Sequence, residues 1–142
     1  MRYIVAGCVV LASAALAYLL LRPGAEDAVQ PALPAGAAIV TVALPDRLSP
    51  NAQIGETVFQ AKCAACHGIN AVGQDGVAPP LVHKIYEPSH HGNESFQLAV
   101  TNGVRSHHWR FGDMPPVDGL TRGDVAMIVA YIRELQVANG IN

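Results

Sequence analysis

The stretch from Cys63 to His67, with the sequence CAACH, constrains this chain more than any other. Its two cysteines are three positions apart and therefore share one face of a helical turn, and the histidine follows directly. Two such thiols can bond to the vinyl groups of a haem while the imidazole binds its iron, so the motif predicts covalent attachment of haem c. A thioredoxin-like redox pair would need a βαβ context, and a structural zinc site would need two more ligands; neither is evident here.

The length and charge of the chain set broad limits. Its 142 residues leave room for one ordinary domain with appendages. A net charge of −2 argues against nucleic acid as a partner, because there is no basic stripe to neutralise phosphates. Of the three cysteines, Cys8 lies near the start and the other two belong to the CAACH motif. The folded part must therefore be stabilised by a cofactor and helix packing rather than by a disulfide.

The amino-terminal segment is apolar. No charged residue lies between Arg2 and Arg22, and a helix over residues 3–21 would rise roughly 28 Å, close to the hydrocarbon thickness of a bilayer. This pattern predicts a single transmembrane anchor over residues 1–22. A cleaved signal peptide is the alternative, since residues 12–17 include the small residues that signal peptidase accepts. Because c-type haem is attached outside the cytoplasm in bacteria, we expect a bacterial inner-membrane protein whose haem domain faces the periplasm.

The remaining chain divides into a spacer and a helical domain. Residues 23–50 contain five prolines and many alanines, which is typical of a semi-rigid linker. The helical domain covers residues 51–142, and Ser49 just before it, Asn93 and Thr121 are suitable helix caps. Three helices are expected, over about residues 50–62, 93–102 and 121–139.

Two loops carry further candidate site residues. Pro79 lies in a stiff Pro-Pro passage whose carbonyl could accept a hydrogen bond from His67, although these prolines could equally just shape the loop. Leu81, two residues later, is expected to line the site. Met114 lies in a Gly/Pro-rich loop, where an exposed methionine suits a soft thioether ligand on the haem face opposite His67.

Together these motifs resemble the class I, mitochondrial-type c cytochromes, with an added membrane anchor. The resemblance covers about residues 51–140. It rests on Gly55-x-x-x-Phe59-x-x-x-Cys63, Cys63-x-x-Cys66-His67, Pro79-x-Leu81, Met114-Pro115 and Tyr131. It implies an all-α fold with three main helices around one haem c, bound through Cys63 and Cys66. It also implies that Gly55 and Phe59 meet the last helix at Ile128 and Tyr131, and that Pro79 accepts a hydrogen bond from the ligating histidine.

The resemblance implies an electron carrier rather than an enzyme. With His67 and Met114 on the iron there is no vacancy for a substrate, and tethered relatives carry electrons between a quinol-oxidising complex and a terminal oxidase or reductase. Trp109 and Arg110 are expected near the haem propionates; the alternative is a core tryptophan and a solvated arginine. Two other functions stay open: a fixed subunit of a membrane dehydrogenase or oxidase complex, and a haem that releases Met114 to bind peroxide or a gas.

Two features depart from the family pattern. Lysines are scarce, with only Lys62 and Lys84 in the chain. Four histidines occur as two adjacent pairs, at residues 90–91 and 107–108. An imidazole could replace Met114 on the iron, or several could bind copper. Adjacent residues of one loop seldom converge on one metal, so the sequence disfavours a second metal site.

Overall fold

Between residues 33 and 142 the chain forms four α-helices and two short 3-10 helices. A computed structural model describes Tyr18 and residues 33–142. In chain order the elements are α1 (Pro50–Lys62), α2 (Ala64–His67), the 3-10 helices Ile69–Ala71 and Lys84–Tyr86, α3 (Asn93–Asn102) and α4 (Arg122–Ala138). Among the described residues, β-sheet pairing is limited to two isolated antiparallel bridges, Gln74 with Ala78 and Val104 with Met114. The regular secondary structure of the described residues is therefore helical, as predicted.

The predicted membrane anchor, residues 1–22, lies outside the described residues apart from Tyr18. The first part of the predicted linker, residues 23–32, lies outside them as well. None of the helices that the structure does describe has both the length and the apolar character needed to cross a bilayer.

The second part of the predicted linker, residues 33–49, lacks regular secondary structure but contacts the helical domain. The Val40 N–H donates to the Val72 carbonyl at 3.2 Å. Further along, the Ala43 N–H donates to Asn139 Oδ1 at 2.8 Å, and Asn139 Nδ2 donates back to the Ala43 carbonyl at 2.9 Å. Side-chain and backbone hydrogen bonds therefore hold this segment against the domain.

α1 and α4 cross at a glycine. The Gly55 backbone lies so close to α4 that an added Cβ would be 1.9 Å from the Met127 carbonyl oxygen. One turn further along α1, the Phe59 ring packs on the Tyr131 ring with a centroid separation of 5.6 Å. Both rings are buried, and the predicted contact between the first and last helices is confirmed. The core around them also includes Ala52, Ala71, Val82, Ile128, Ile132 and Leu135.

Local capping signals account for two of the three predicted helix starts. Ser49 caps α1, and Thr121 with Asp124 forms a reciprocal capping box at the start of α4. The prediction that Asn93 caps α3 was wrong, because Asn93 is the first helical residue and the cap position falls one residue earlier. Asn93 Oδ1 instead accepts a hydrogen bond from Arg133 Nε at 3.1 Å. The Asn93 side chain therefore bonds to a residue of α4 and not to the backbone at the start of α3.

Candidate haem site

The CAACH stretch spans the junction between α1 and α2. The Cys63 N–H still bonds to the Phe59 carbonyl at 2.7 Å, which continues α1 up to the motif. The Cys63 side chain is half-buried, that of Cys66 is exposed, and the two thiols are not joined to each other. Burial raises the pKa of the Cys63 thiol to about 11, so before haem is attached this sulfur is a neutral thiol at neutral pH.

His67 is held in one orientation by the backbone. Its Nδ1 lies 2.8 Å from the Pro79 carbonyl oxygen. Because a carbonyl can only accept, Nδ1 carries the proton and Nε2 keeps a lone pair for a metal. Burial lowers the pKa of His67, against a smaller opposite effect of the bond to Pro79. The imidazole is therefore neutral, the form that binds iron.

The loop that supplies this carbonyl is tightly packed. Pro80 is fully buried, and a Cβ on Gly73 would lie only 2.5 Å from the Pro80 nitrogen. Leu81 packs against the core cluster, and its carbonyl accepts a hydrogen bond from Gln136 Nε2 at 2.8 Å. The position of the Pro79 carbonyl is thus fixed from both sides along the chain.

Trp109 presents a buried donor that lacks a protein acceptor. Its ring stacks on Phe111 at 5.7 Å and meets the edge of His83 at 5.2 Å. Among the described residues, the buried Nε1 atom makes no hydrogen bond. Tyr86 lies beside it, and burial raises the pKa of that hydroxyl to about 12 against a smaller opposite effect of the Trp109 N–H. The Trp109 N–H therefore lies near the Tyr86 hydroxyl without the geometry of a hydrogen bond to it, and the space around Nε1 has no well-placed acceptor among the described residues.

An unpaired buried N–H costs roughly 1–3 kcal/mol, so a carboxylate bound in this space would be stabilising. A haem propionate is such a group. The residues around Trp109 therefore fit the porphyrin that the CAACH motif predicts.

Met114 is positioned by its backbone. Its N–H and carbonyl pair with the carbonyl and N–H of Val104, each at 2.9 Å. Gly103, with φ of +74°, allows this close pairing, because a Cβ there would lie 2.5 Å from the Met114 carbonyl oxygen. With Met114 included, the candidate donors are two thiols, one imidazole nitrogen and one thioether, a set that suits a covalently attached, six-coordinate haem.

Comparison with known families settles the class of the protein. The sequence model of the cytochrome c family matches residues 52–136, more than half of the chain. The chain belongs to the cytochrome c family. The resemblance to class I c-type cytochromes is thereby confirmed, and so is the cofactor: this cytochrome binds haem c covalently, with Cys63 and Cys66 at the attachment positions of the motif.

One relative of this cytochrome is the cbb3-type cytochrome c oxidase subunit FixP from Bradyrhizobium sp. (strain ORS 278). The two sequences are 34% identical over an alignment of 111 positions, and the match covers 70% of this chain. The aligned region is only 35% of the relative, so the chain spans about a third of that protein. No solved structure matches this cytochrome.

Sequence reasoning missed two residues of the site, Tyr86 and Gln136. Tyr86 comes from a separate 3-10 helix and belongs to no motif, so no sequence signal placed it beside Trp109. Gln136 did leave a signal, since it is a polar residue next to Leu135 in an apolar helix. It is fully buried, and its Nε2 donates to the carbonyls of Leu81 and Tyr86 at 2.8 and 3.0 Å.

Proposed function

We propose that this cytochrome is a carrier of single electrons, with His67 and Met114 as the two axial ligands of its iron. The observation that carries the proposal is the 2.8 Å bond from His67 Nδ1 to the Pro79 carbonyl, which directs a neutral Nε2 toward a metal. The bound haem supplies a reversible one-electron couple, and a thioether ligand places its potential toward the positive end of the haem range.

The protein residues support this role by positioning and by exclusion of water. His67 and Met114 leave no iron position for a substrate, so the function is electron transfer and not catalysis. The Trp109 N–H would donate to a carboxylate of the bound haem. Ile69 and Val77, which are 66% and 45% exposed, lie in the loop after the CAACH motif and offer apolar contact to a redox donor or acceptor.

Carbon monoxide separates the carrier from the gas-binding and peroxidase alternatives. We expect the reduced protein to bind carbon monoxide slowly, because Met114 must leave the iron first. A redox titration should show a single one-electron transition. Rapid carbon monoxide binding by the native reduced protein, or turnover of peroxide, would instead support the sensor or peroxidase alternative.

We expect Trp109→Phe to destabilise the haem-loaded protein by about 1.5–3 kcal/mol, the cost of losing a hydrogen bond to a charged acceptor. The phenyl ring keeps the stacking on Phe111 and removes only the N–H. The midpoint potential should fall, since a less neutralised propionate favours the ferric state. Denaturant unfolding and redox titration measure the two effects. A variant as stable as the native protein would show that Nε1 does not bind a propionate.

A second candidate function is that of a fixed subunit in a cbb3-type oxidase, and the similarity to FixP favours it. In this arrangement residues 1–22 anchor the chain in the inner membrane, residues 23–32 remain as the linker, and the haem domain, with residues 33–49 bonded to it, faces the periplasm. Solubilisation in mild detergent tests it. Copurification with oxidase subunits in fixed ratio supports the subunit, whereas recovery of the cytochrome alone supports the carrier.

A further inference from the structure

Four histidines from two separate loops meet at one place on the surface. His90 and His91 precede α3, and His107 and His108 lie in the loop between Val104 and Met114. Across the two loops, the His108 ring lies 5.2 Å from that of His90 and 5.3 Å from that of His91, measured between centroids. The sequence disfavoured a second metal here because neighbours in one loop seldom converge. The structure weakens that objection: His90 and His91 are adjacent, but the third imidazole, His108, comes from the other loop, and ring nitrogens of all three converge.

Three of these imidazoles lie close enough together to bind one metal ion after small side-chain shifts. In His90, His91 and His108, one ring nitrogen of each lies within 4.8 Å of those of the other two. Nitrogens bound to a tetrahedral Zn²⁺ at about 2.0–2.1 Å are separated by about 3.3 Å, so closure needs shifts of no more than about 1.5 Å. His90 and His108 are exposed, which leaves their rings free to rotate that far.

A hydrogen bond to the backbone already orients the His91 ring before any metal binds. Its Nδ1 lies 2.6 Å from the Ile85 carbonyl oxygen, so Nδ1 donates its proton there and Nε2 keeps its lone pair. Metal-bound histidines usually have such a second partner, which sets the tautomer and the ring direction. The His91 carbonyl in turn accepts a hydrogen bond from Arg133, whose guanidinium also donates to the Tyr86 carbonyl at 2.6 Å. This arginine ties the first loop to α4.

The second loop is held by its own polar contacts. The Ser106 N–H donates to Asp113 Oδ1 at 2.8 Å, and the Ser106 hydroxyl donates to the Trp109 carbonyl. These bonds hold His108 in a closed loop opposite the first. His107 lies next to the three converging histidines but outside that group, and its Nδ1 donates to the Arg105 carbonyl at 2.8 Å.

We propose that His90, His91 and His108 bind a divalent transition-metal ion, Zn²⁺ or Cu²⁺, with water completing its coordination shell. Imidazole nitrogens suit both ions, and the general order of affinities places Cu²⁺ above Zn²⁺. The site uses neither His67 nor Met114, so it is independent of the ligands proposed for the haem iron.

Calorimetric titration of the haem-loaded protein, prepared without a histidine tag, tests the proposal. We expect one equivalent of Zn²⁺ or of Cu²⁺ to bind, and His90→Gln and His108→Gln each to weaken the affinity at least tenfold. His107→Gln is the matched control and should change it less than threefold. In the Cu²⁺ form, electron paramagnetic resonance should show nitrogen coupling that weakens in the two ligand variants.

Three results would overturn the site. They are the absence of a one-to-one binding step, an equal loss of affinity in His107→Gln and His108→Gln, or a changed haem spectrum in His108→Gln, which would assign that imidazole to the iron. Because His90 and His108 are exposed, their substitution should not unfold the domain. The unchanged visible spectrum of the haem verifies this in each variant.

Discussion

Met114→Leu is expected to abolish the near-red charge-transfer band of the oxidised cytochrome and to lower its midpoint potential by on the order of 100 mV. That shift is a modest part of the range of about 0.8 V that axial ligands span. The band arises from sulfur bound to ferric iron, and thioether ligation favours the ferrous state. The variant should also bind carbon monoxide rapidly when reduced, because leucine leaves the iron position open.

The fold should survive this substitution. Leucine and methionine have similar volumes, and such exchanges usually cost less than about 1.5 kcal/mol. The loop is held by backbone bonds between residue 114 and Val104, which do not involve the side chain. An altered spectrum would therefore report the ligand and not unfolding.

Met127→Leu provides the matched control. Met127 lies within α4, and its substitution should leave both the band and the potential unchanged. If the band persists in Met114→Leu, or disappears in Met127→Leu, the assignment of Met114 as an axial ligand is wrong. In that case the paired histidines at residues 90–91 and 107–108 become the candidates for the sixth ligand of the iron.

Features encoded by contiguous residues could be predicted from the sequence. The CAACH motif lies within a single turn, so its chemistry follows from spacing alone. The starts of α1 and α4 depend on Ser49 and Thr121, each of which bonds to backbone within three residues. The helix crossing at Gly55 was predictable for a different reason, since the glycine and Phe59 share one face of a helix whose partner was implied by the family resemblance.

Features created by contacts between distant segments could not be predicted in the same way. Asparagine is a common helix-capping residue, but the side chain of Asn93 instead accepts a hydrogen bond from Arg133, forty positions later. The linker-like residues before α1 bond to the domain through Asn139, which no local pattern near them reveals. Likewise His91 and His108 converge because hydrogen bonds hold their two loops in place, from Arg133 to the His91 carbonyl in the first and from the Ser106 N–H to Asp113 in the second.

Gly55→Ala is expected to destabilise the haem-loaded domain by about 3 kcal/mol, near the upper end for overpacked sites. The added Cβ would lie 1.9 Å from the Met127 carbonyl oxygen and 2.4 Å from its carbon. These are backbone atoms that cannot rotate away, so α1 and α4 must move apart and loosen the contact between Phe59 and Tyr131. The gain of about 1 kcal/mol in helix propensity from glycine to alanine is too small to offset this cost.

Gly123→Ala is the matched control within the same helix pair. Gly123 lies in the first turn of α4, where an added Cβ would be 3.5 Å from Thr121 Oγ1, an ordinary contact. The free energy of unfolding of the Gly123→Ala variant should stay the same or rise by about 0.5–1 kcal/mol. Thermal unfolding should separate the two variants clearly, since 1 kcal/mol shifts the midpoint of a domain of this size by roughly 4–8 °C. Equal midpoints for the two variants would mean that the helices do not cross at Gly55.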